Sequence, residues 1–292
     1  MNQRAALAMI AASVFIALST FLAKGVAGRF DIDAQGIHPL QITAGRFIFA
    51  WLLWIAVLAV VRIDWQPIHW RLHVVRCVFG WATVTLVFWA SSLMALADAT
   101  AISFLTPVVT LVLAIVFLGE RVGVVRWSAV AIMLLGALVL LRPGTSAFQP
   151  AALLALAAAF TSAIESTLIK KLTGLESRMQ ILVINNSIGL IIALTAALLI
   201  WTWPTPLQWF VLAGVGLTMA VAQVFFLTSM RDGDASYVVP FMYSTLLFAG
   251  VLDYIVFGDA PDSIGIVGAL IIVAGAIFLA LRESQRQRKQ SG

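Results

Sequence analysis

Apolar residues in this chain come in long unbroken runs, with neither the alternation of a half-buried strand nor the stripe of a surface helix. The first run extends from Ala5 to Ala27. The others are Leu40–Val61, Val74–Met94, Ala99–Leu118, Val124–Leu141, Pro150–Ile169, Met179–Ile200, Pro206–Met230, Ala235–Phe257 and Ile264–Leu281. A helix rises 1.5 Å per residue, so roughly 20 residues cross a hydrocarbon layer about 30 Å thick. The pattern predicts an all-α integral membrane protein with ten transmembrane helices. The longest connection, Gly28 to Pro39, is too short for a folded domain. Because the first run is already of spanning length, it is expected to be the first helix and not a cleaved leader.

Between the runs, the basic residues distribute unevenly, and Lys and Arg concentrate on the cytoplasmic side of a membrane protein. With the N-terminus inside, the cytoplasmic segments carry Arg4, Arg62, Arg71, Arg76, Arg121, Arg126, Lys170, Lys171, Arg178, Arg231, Arg282, Arg286, Arg288 and Lys289. The opposite side keeps only Lys24, Arg29, Arg46 and Arg142. Both termini are therefore expected in the cytoplasm, with an inner (plasma) membrane location. Trp65, Trp70 and Trp127 fall near the inner face, and Trp201, Trp203 and Trp209 near the outer.

The runs also repeat. Gly119-Glu120 precedes Gly258-Asp259 by 139 residues, and Gly136-Ala137 precedes Gly275-Ala276 by the same interval. Residues 1–142 and 149–282 read as two copies of one five-helix unit, followed by a basic tail at 283–292. Five is odd, so the second unit enters the membrane upside down. Two inverted copies can exchange conformations and open first one side and then the other, which is the design of secondary transporters.

Composition narrows the class further. Of 292 residues, 62% are hydrophobic and 11% charged, with a mean hydropathy of +1.04. A soluble domain carries about 25% charged residues, so no water-facing surface can be made here. The single cysteine, Cys77, excludes an internal disulfide. The net charge of +5 comes from residues between spans and implies no nucleic acid partner. There is no Walker A loop, GxSxG or Cys–His arrangement, so neither direct ATP use nor enzyme chemistry is expected, and no cofactor. His69 and His73 have metal-ligand spacing but no acid or thiol beside them, and read as polar residues at the cytoplasmic interface.

Ionisable groups inside spans are costly and are functional candidates by default. Lys24, Arg46 and Asp253 lie toward the outer side. An Arg46–Asp253 or a Lys24–Asp253 pair would cancel charge and form an outer gate, and snorkelling is the alternative for Lys24. Toward the inner side lie Glu165 and Asn185-Asn186, with Asn185 the repeat counterpart of Arg46. Glu165 shares a helix face with Ser162 and Ser166. A carboxylate there can take up a proton as it is desolvated, which makes Glu165 the proton-coupling candidate. A structural pair with Lys170 or Lys171 is its alternative. Candidate substrate contacts are Lys24, Arg46, Trp89, Ser92, Ser103, Asn185, Gln223, Tyr237, Phe241 and Tyr243. Tyr254 is expected to anchor at the interface. Pro107 and Pro240 are expected to bend helices 4 and 9 for alternating access. Gly136, Gly275, Gly265, Gly268 and Ala269 would let helices approach closely, within one chain or in a homodimer.

The stretch AISFLTPVVTLVLAIVFLGERVGVVRWSAVAIMLLGALVLLRPG and its later partner VVPFMYSTLLFAGVLDYIVFGDAPDSIGIVGALIIVAGAIFL resemble the two repeat signatures of EamA-type transporters of the drug/metabolite transporter superfamily. The resemblance covers nearly the whole chain. It implies ten helices with both ends cytoplasmic. It also implies a central cavity lined by helices 1, 3, 4, 6, 8 and 9, with helices 5 and 10 peripheral. Many relatives have an acid about a turn before the lysine matching Lys24, where this chain reads Ala17-Leu18-Ser19-Thr20. The resulting expectation is a secondary transporter of a small polar metabolite, an amino acid or amino-acid-derived solute. The alternatives are a larger aromatic or cationic solute (riboflavin-like, S-adenosylmethionine-like) and, in another class, a membrane-embedded enzyme.

Overall fold

A computed structural model describes residues 3–30, 35–60, 65–106, 108–109, 124–141, 149–232, 241–259 and 262–291. The described residues form helices and no strand. They are α1 (Gln3–Lys24, ending in a π turn Gly25–Arg29), α2 (Pro39–Leu58), α3 (Trp70–Leu93), α4 (Leu96–Ser103), α5 (Val124–Leu141), α6 (Ala152–Thr173), α7 (Arg178–Ala197), α8 (Pro206–Asp232), α9 (Ser244–Phe257) and α10 (Ser263–Ser291). Six stretches among them are long and apolar enough to cross a membrane, lying in α1 to α3 and α6 to α8. Leucine, isoleucine and valine side chains stand exposed along them, as lipid contact requires. Pro107 and Pro240 lie outside the described residues, so their expected bends are not seen here.

Helix starts follow from local chemistry. Pro39 opens α2, where a missing N–H costs nothing, and the His38 ring accepts the Leu40 N–H at 3.2 Å. Ser177 caps α7 by accepting the Gln180 N–H at 3.4 Å. Gly258 ends α9 with φ of 69°, a left-handed conformation that turns the chain back and delivers Asp259 toward the bundle. Two boundaries differ from the expectation. The third helix begins at Trp70, a turn before Val74, which draws Arg71 and His73 into it and sets Arg76 nearly two turns in from its start. The tenth runs on through the basic tail to Ser291.

The principal packing pairs form a pattern. α1 packs on α8 and α9, and α6 packs on α3 and α4. α2 packs on α8, and α7 on α3. α2 also meets α7, α4 meets α9, and α5 meets α10. Advancing the labels of these pairs by five returns the same pairs, although α2 also packs on α3 to an extent that α7 and α8 do not match. In the α5–α10 contact, a Cβ on Gly136 would come 2.9 Å from the Gly268 carbonyl oxygen, and one on Gly268 would come 2.8 Å from that of Gly136. Backbone lies on backbone there, which only small residues permit.

Two glutamines link the halves in the same way. Gln41, on the first turn of α2, donates to the Thr202 carbonyl at 2.6 Å and accepts its N–H at 3.1 Å. Gln180, on the first turn of α7, donates to the Gln66 carbonyl at 3.1 Å and accepts its N–H at 2.8 Å. Each side chain completes the backbone of the segment leading into the other half's third helix, and the two positions are 139 residues apart.

Candidate functional site

Three polar clusters interrupt the apolar interior. The first lies where α1 ends. Lys24 is fully buried, and its ammonium donates to both oxygens of Asp253, at 2.7 and 2.8 Å, and to Asp259 Oδ2 at 2.9 Å. Asp253, 1% exposed, also accepts the Leu96 N–H at 2.8 Å, at the start of α4. Arg29 pairs with Asp259 at the surface. Burial pushes the Asp259 carboxyl up, but the ammonium of Lys24 and the guanidinium of Arg29 hold it below the ordinary range. The pair with Asp253 is thus made by Lys24 and not by Arg46, and Lys24 does not snorkel. The reason is helix placement: α1 lies against α9, while α2 lies against α7 and α8.

The second cluster sits midway along the helices. Arg46 is the eighth residue of α2 and Asn185 the eighth of α7. Each therefore lies about two turns in from the start of its helix. Arg46 is 3% exposed and its guanidinium lies 4.3 Å from the Phe47 ring centroid. Its Nε and Nη1 have no hydrogen-bond partner among the described residues. Glu165 on α6 lies within electrostatic reach of both Arg46 and Arg76. Its Oε1 is 3.8 Å from Arg76 Nη2, an ion pair without a hydrogen bond. Arg76, expected as a cytoplasmic loop charge, is instead buried on α3 at 6% exposure, with Nε and Nη1 also unpartnered. Among the described residues Arg76, and not Lys171, is the ion-pair partner of Glu165, and the Lys170 side chain lies outside them. The glutamate is accommodated by Gly80, one turn beyond Arg76, where a Cβ would stand 2.6 Å from Oε1. Asn185 Oδ1 lies 3.5 Å from the Cys77 thiol. Gln223 on α8 accepts from Asn186 at 3.3 Å.

The third cluster, at the opposite end from Lys24, was not anticipated. Glu176, between α6 and α7, accepts the His69 N–H at 2.9 Å, His69 Nδ1 at 3.1 Å, His73 Nε2 at 2.8 Å and Gln180 Nε2 at 2.7 Å. Burial pushes its carboxyl up, but the His69 backbone N–H and the two imidazoles hold it below the usual carboxylate range. The two histidines therefore have an acid beside them, supplied from 103 residues away. The i, i+4 spacing of the imidazoles was the only signal of it.

Other candidates fall elsewhere. Trp89 stands edge-on to the His38 ring at 5.2 Å. The hydroxyls of Ser92 and Ser103 donate to their own helices, at Trp89 and Ala99. Tyr243 is 5% exposed in an apolar cluster with Ile102, Met133 and Ile272, its ring edge-on to Phe104 at 4.7 Å. The Phe241 carbonyl accepts from Ser244 at 2.7 Å. Tyr237 lies outside the described residues. Tyr254 is exposed, as an interface anchor would be.

A bundle of long apolar helices with ionic groups buried between them defines a multi-pass membrane protein. The sequence profile of the EamA-like transporter family matches residues 3–142 and again 149–281, so the chain belongs to that family of membrane transporters. Among similar proteins, a riboflavin transporter of Rhizobium johnstonii is 34% identical over 75% of this chain and 73% of its own. An S-adenosylmethionine uptake transporter of Rickettsia felis is 26% identical over 87% of each chain. A pseudopaline exporter of Pseudomonas aeruginosa is 24% identical over 70% of this chain and 73% of its own. One solved crystal structure superposes over 98% of this chain and 99% of that one, with a TM-score of 0.65 and 20% identity, a likeness of fold.

Proposed function

We propose that this protein is a secondary transporter in the inner membrane that moves a small amino-acid-derived solute by alternating access between two inverted five-helix repeats, residues 1–142 and 149–282. The carrying observation is the mid-membrane cluster of Arg46, Arg76, Glu165 and Asn185, drawn from both halves and held among apolar helices. Charged groups at that depth are retained for solute or ion pathways. The label-shift symmetry of the packing and the matched Gln41 and Gln180 contacts support the repeat. In this reading the Lys24–Asp253 pair closes the outer end and Glu165 carries a coupling proton. Lys24, fully engaged by two carboxylates, is replaced by Arg46 as the residue that would receive a solute carboxylate. S-adenosylmethionine, named for one relative, carries an amino-acid head and fits this class. A riboflavin-like solute is the second reading, favoured by the 34% identical relative. A membrane-embedded enzyme is disfavoured because Glu165 and Asp253 sit in separate clusters, each beside cations.

The test is flux in proteoliposomes, with radiolabelled S-adenosylmethionine, methionine and riboflavin offered at pH 6 and pH 8. Saturable movement of an amino-acid solute, with pH dependence lost in Glu165→Gln, is expected. Movement of riboflavin alone would overturn the solute class. Unchanged pH dependence in the variant would remove Glu165 from coupling.

A further inference from the structure

The middle cluster is unbalanced. Arg46 and Arg76 share one carboxylate, Glu165, and four of their nitrogens lack a hydrogen-bond partner among the described residues. Both side chains are more than nine-tenths buried. A guanidinium in a low-dielectric interior ordinarily has its N–H groups taken up by acceptors, and a planar fork is matched best by a carboxylate. Glu165 does not satisfy that demand: at 3.8 Å it neutralises charge without forming the bidentate contact. It is also the most accessible of the three, its side chain 19% exposed against 7% for Arg76. Its carboxylate is seated over Gly80, so it can withdraw without disturbing a packed side chain on α3.

We infer that Arg46 and Arg76 form a seat for the carboxylate of the transported solute, and that Glu165 is a built-in occupant which the solute displaces. The inference deepens the transporter reading and rests on it for the word solute. The seat itself is a binding property that stands or falls alone. When a solute carboxylate takes the two forks, Glu165 loses its cationic neighbours while still inside the membrane and takes a proton from the aqueous phase. Solute and proton are thereby bound together, with only the O–H bond formed. On the helices packed against α6, the other titratable groups do not replace the lost charge. The nearby Cys77 thiol carries none, His73 on α3 is held by Glu176, and Arg178 at the start of α7 reaches Thr228. α4 contributes Asp98, a further acid.

Acetate is the probe, because a seat for a carboxylate must accept the simplest one whatever the natural solute is. Purified full-length protein is titrated with sodium acetate, at constant ionic strength against chloride, while its melting temperature is followed. Acetamide, neutral and of similar shape, is the control. In Glu165→Ala the occupant is gone, and acetate should raise the melting temperature with an apparent Kd about tenfold lower than in wild type, a difference of about 1.4 kcal/mol. Gly80→Ala, which pushes Glu165 off α3 while keeping it, should shift the acetate response the same way. Arg76→Gln in the Glu165→Ala background should abolish the response. Equal responses to acetate and acetamide, or no acetate response in Glu165→Ala, would overturn the seat. Should Glu165→Ala fold poorly, Gly80→Ala carries the same comparison. Flux without an acetate site refutes the seat alone. An acetate site without flux of any amino-acid solute refutes the amino-acid-solute reading alone.

Discussion

Replacing Lys24 by methionine keeps the length of the side chain and removes its charge. In the native protein one ammonium lies between Asp253 Oδ1 at 2.7 Å and Asp259 Oδ2 at 2.9 Å. Those two contacts bound the separation of the carboxylate oxygens at about 5.6 Å. Two like charges at that distance repel by about 3 kcal/mol at an effective dielectric of about 20. Removing one partner from a buried pair costs roughly 3–5 kcal/mol in general, because the other charge is stranded. Asp259 is 26% exposed and keeps Arg29, so solvent and Arg29 relieve part of the penalty. The lower figure, about 3 kcal/mol, is therefore expected for Lys24→Met. Lys24→Met/Asp253→Asn removes the stranded charge, and should cost less than the two single changes added together by about 2 kcal/mol. Reversible unfolding in mixed micelles, with increasing mole fraction of SDS, gives all four corners of the cycle. Additivity within about 0.5 kcal/mol would refute the account, because it would mean that Lys24 and Asp253 do not depend on each other.

Glu176→Gln should lose stability at neutral pH and flatten the acid limb of the unfolding curve. The native carboxyl is held below its unfolded value of about 4.3, so its contribution is complete above that pH and disappears as pH falls through the lower folded value. Unfolding midpoints measured between pH 3 and pH 7 check this, and an unchanged acid limb would refute it. Gly136→Leu should force α5 from α10 and cost about 1–3 kcal/mol, since its Cβ alone would stand 2.8 Å from the Ile272 nitrogen. The unfolding midpoint is the measure, and a neutral result would show that this contact does not hold the native pair.

Much of the helix content was legible because a spanning helix writes its length directly into hydropathy, and the 139-residue offset was visible in Gly119/Gly258 and Gly136/Gly275. That offset also matched Arg46 to Asn185, which the structure places at equivalent positions on packed helices. Which base met Asp253 was not legible. It depends on which helix faces α9, and sequence spacing within one helix does not contain that. Arg76 was hidden by its place: in the first turn of the expected span and beside Arg71, it counted with the cytoplasmic charges, but α3 begins a turn earlier and buries it. Glu176 and Asp259 were hidden for a related reason. Both lie just outside helices, where an acid ordinarily meets water, and only tertiary packing makes them buried or half-buried partners of distant bases. Ser92 and Ser103 donate within their own helices because an i−3 or i−4 carbonyl is always within reach of a helical hydroxyl, which a sequence-based list of polar candidates does not weigh.

The glutamine contacts impose a timetable on synthesis. Gln41 meets a backbone 161 residues downstream, and Gln180 meets one 114 residues upstream. At a synthesis rate of about 5–20 residues per second, Gln41 is added to the chain roughly 8–32 s before Thr202 exists. For that interval a primary amide on a membrane helix has no native acceptor, and either water or the insertion machinery must hold it. Gln66 waits a shorter time for Gln180, 114 residues downstream. The nascent chain thus carries one unclosed side-chain amide for 161 residues of synthesis and one unclosed backbone segment for 114, and both close only when the second half arrives.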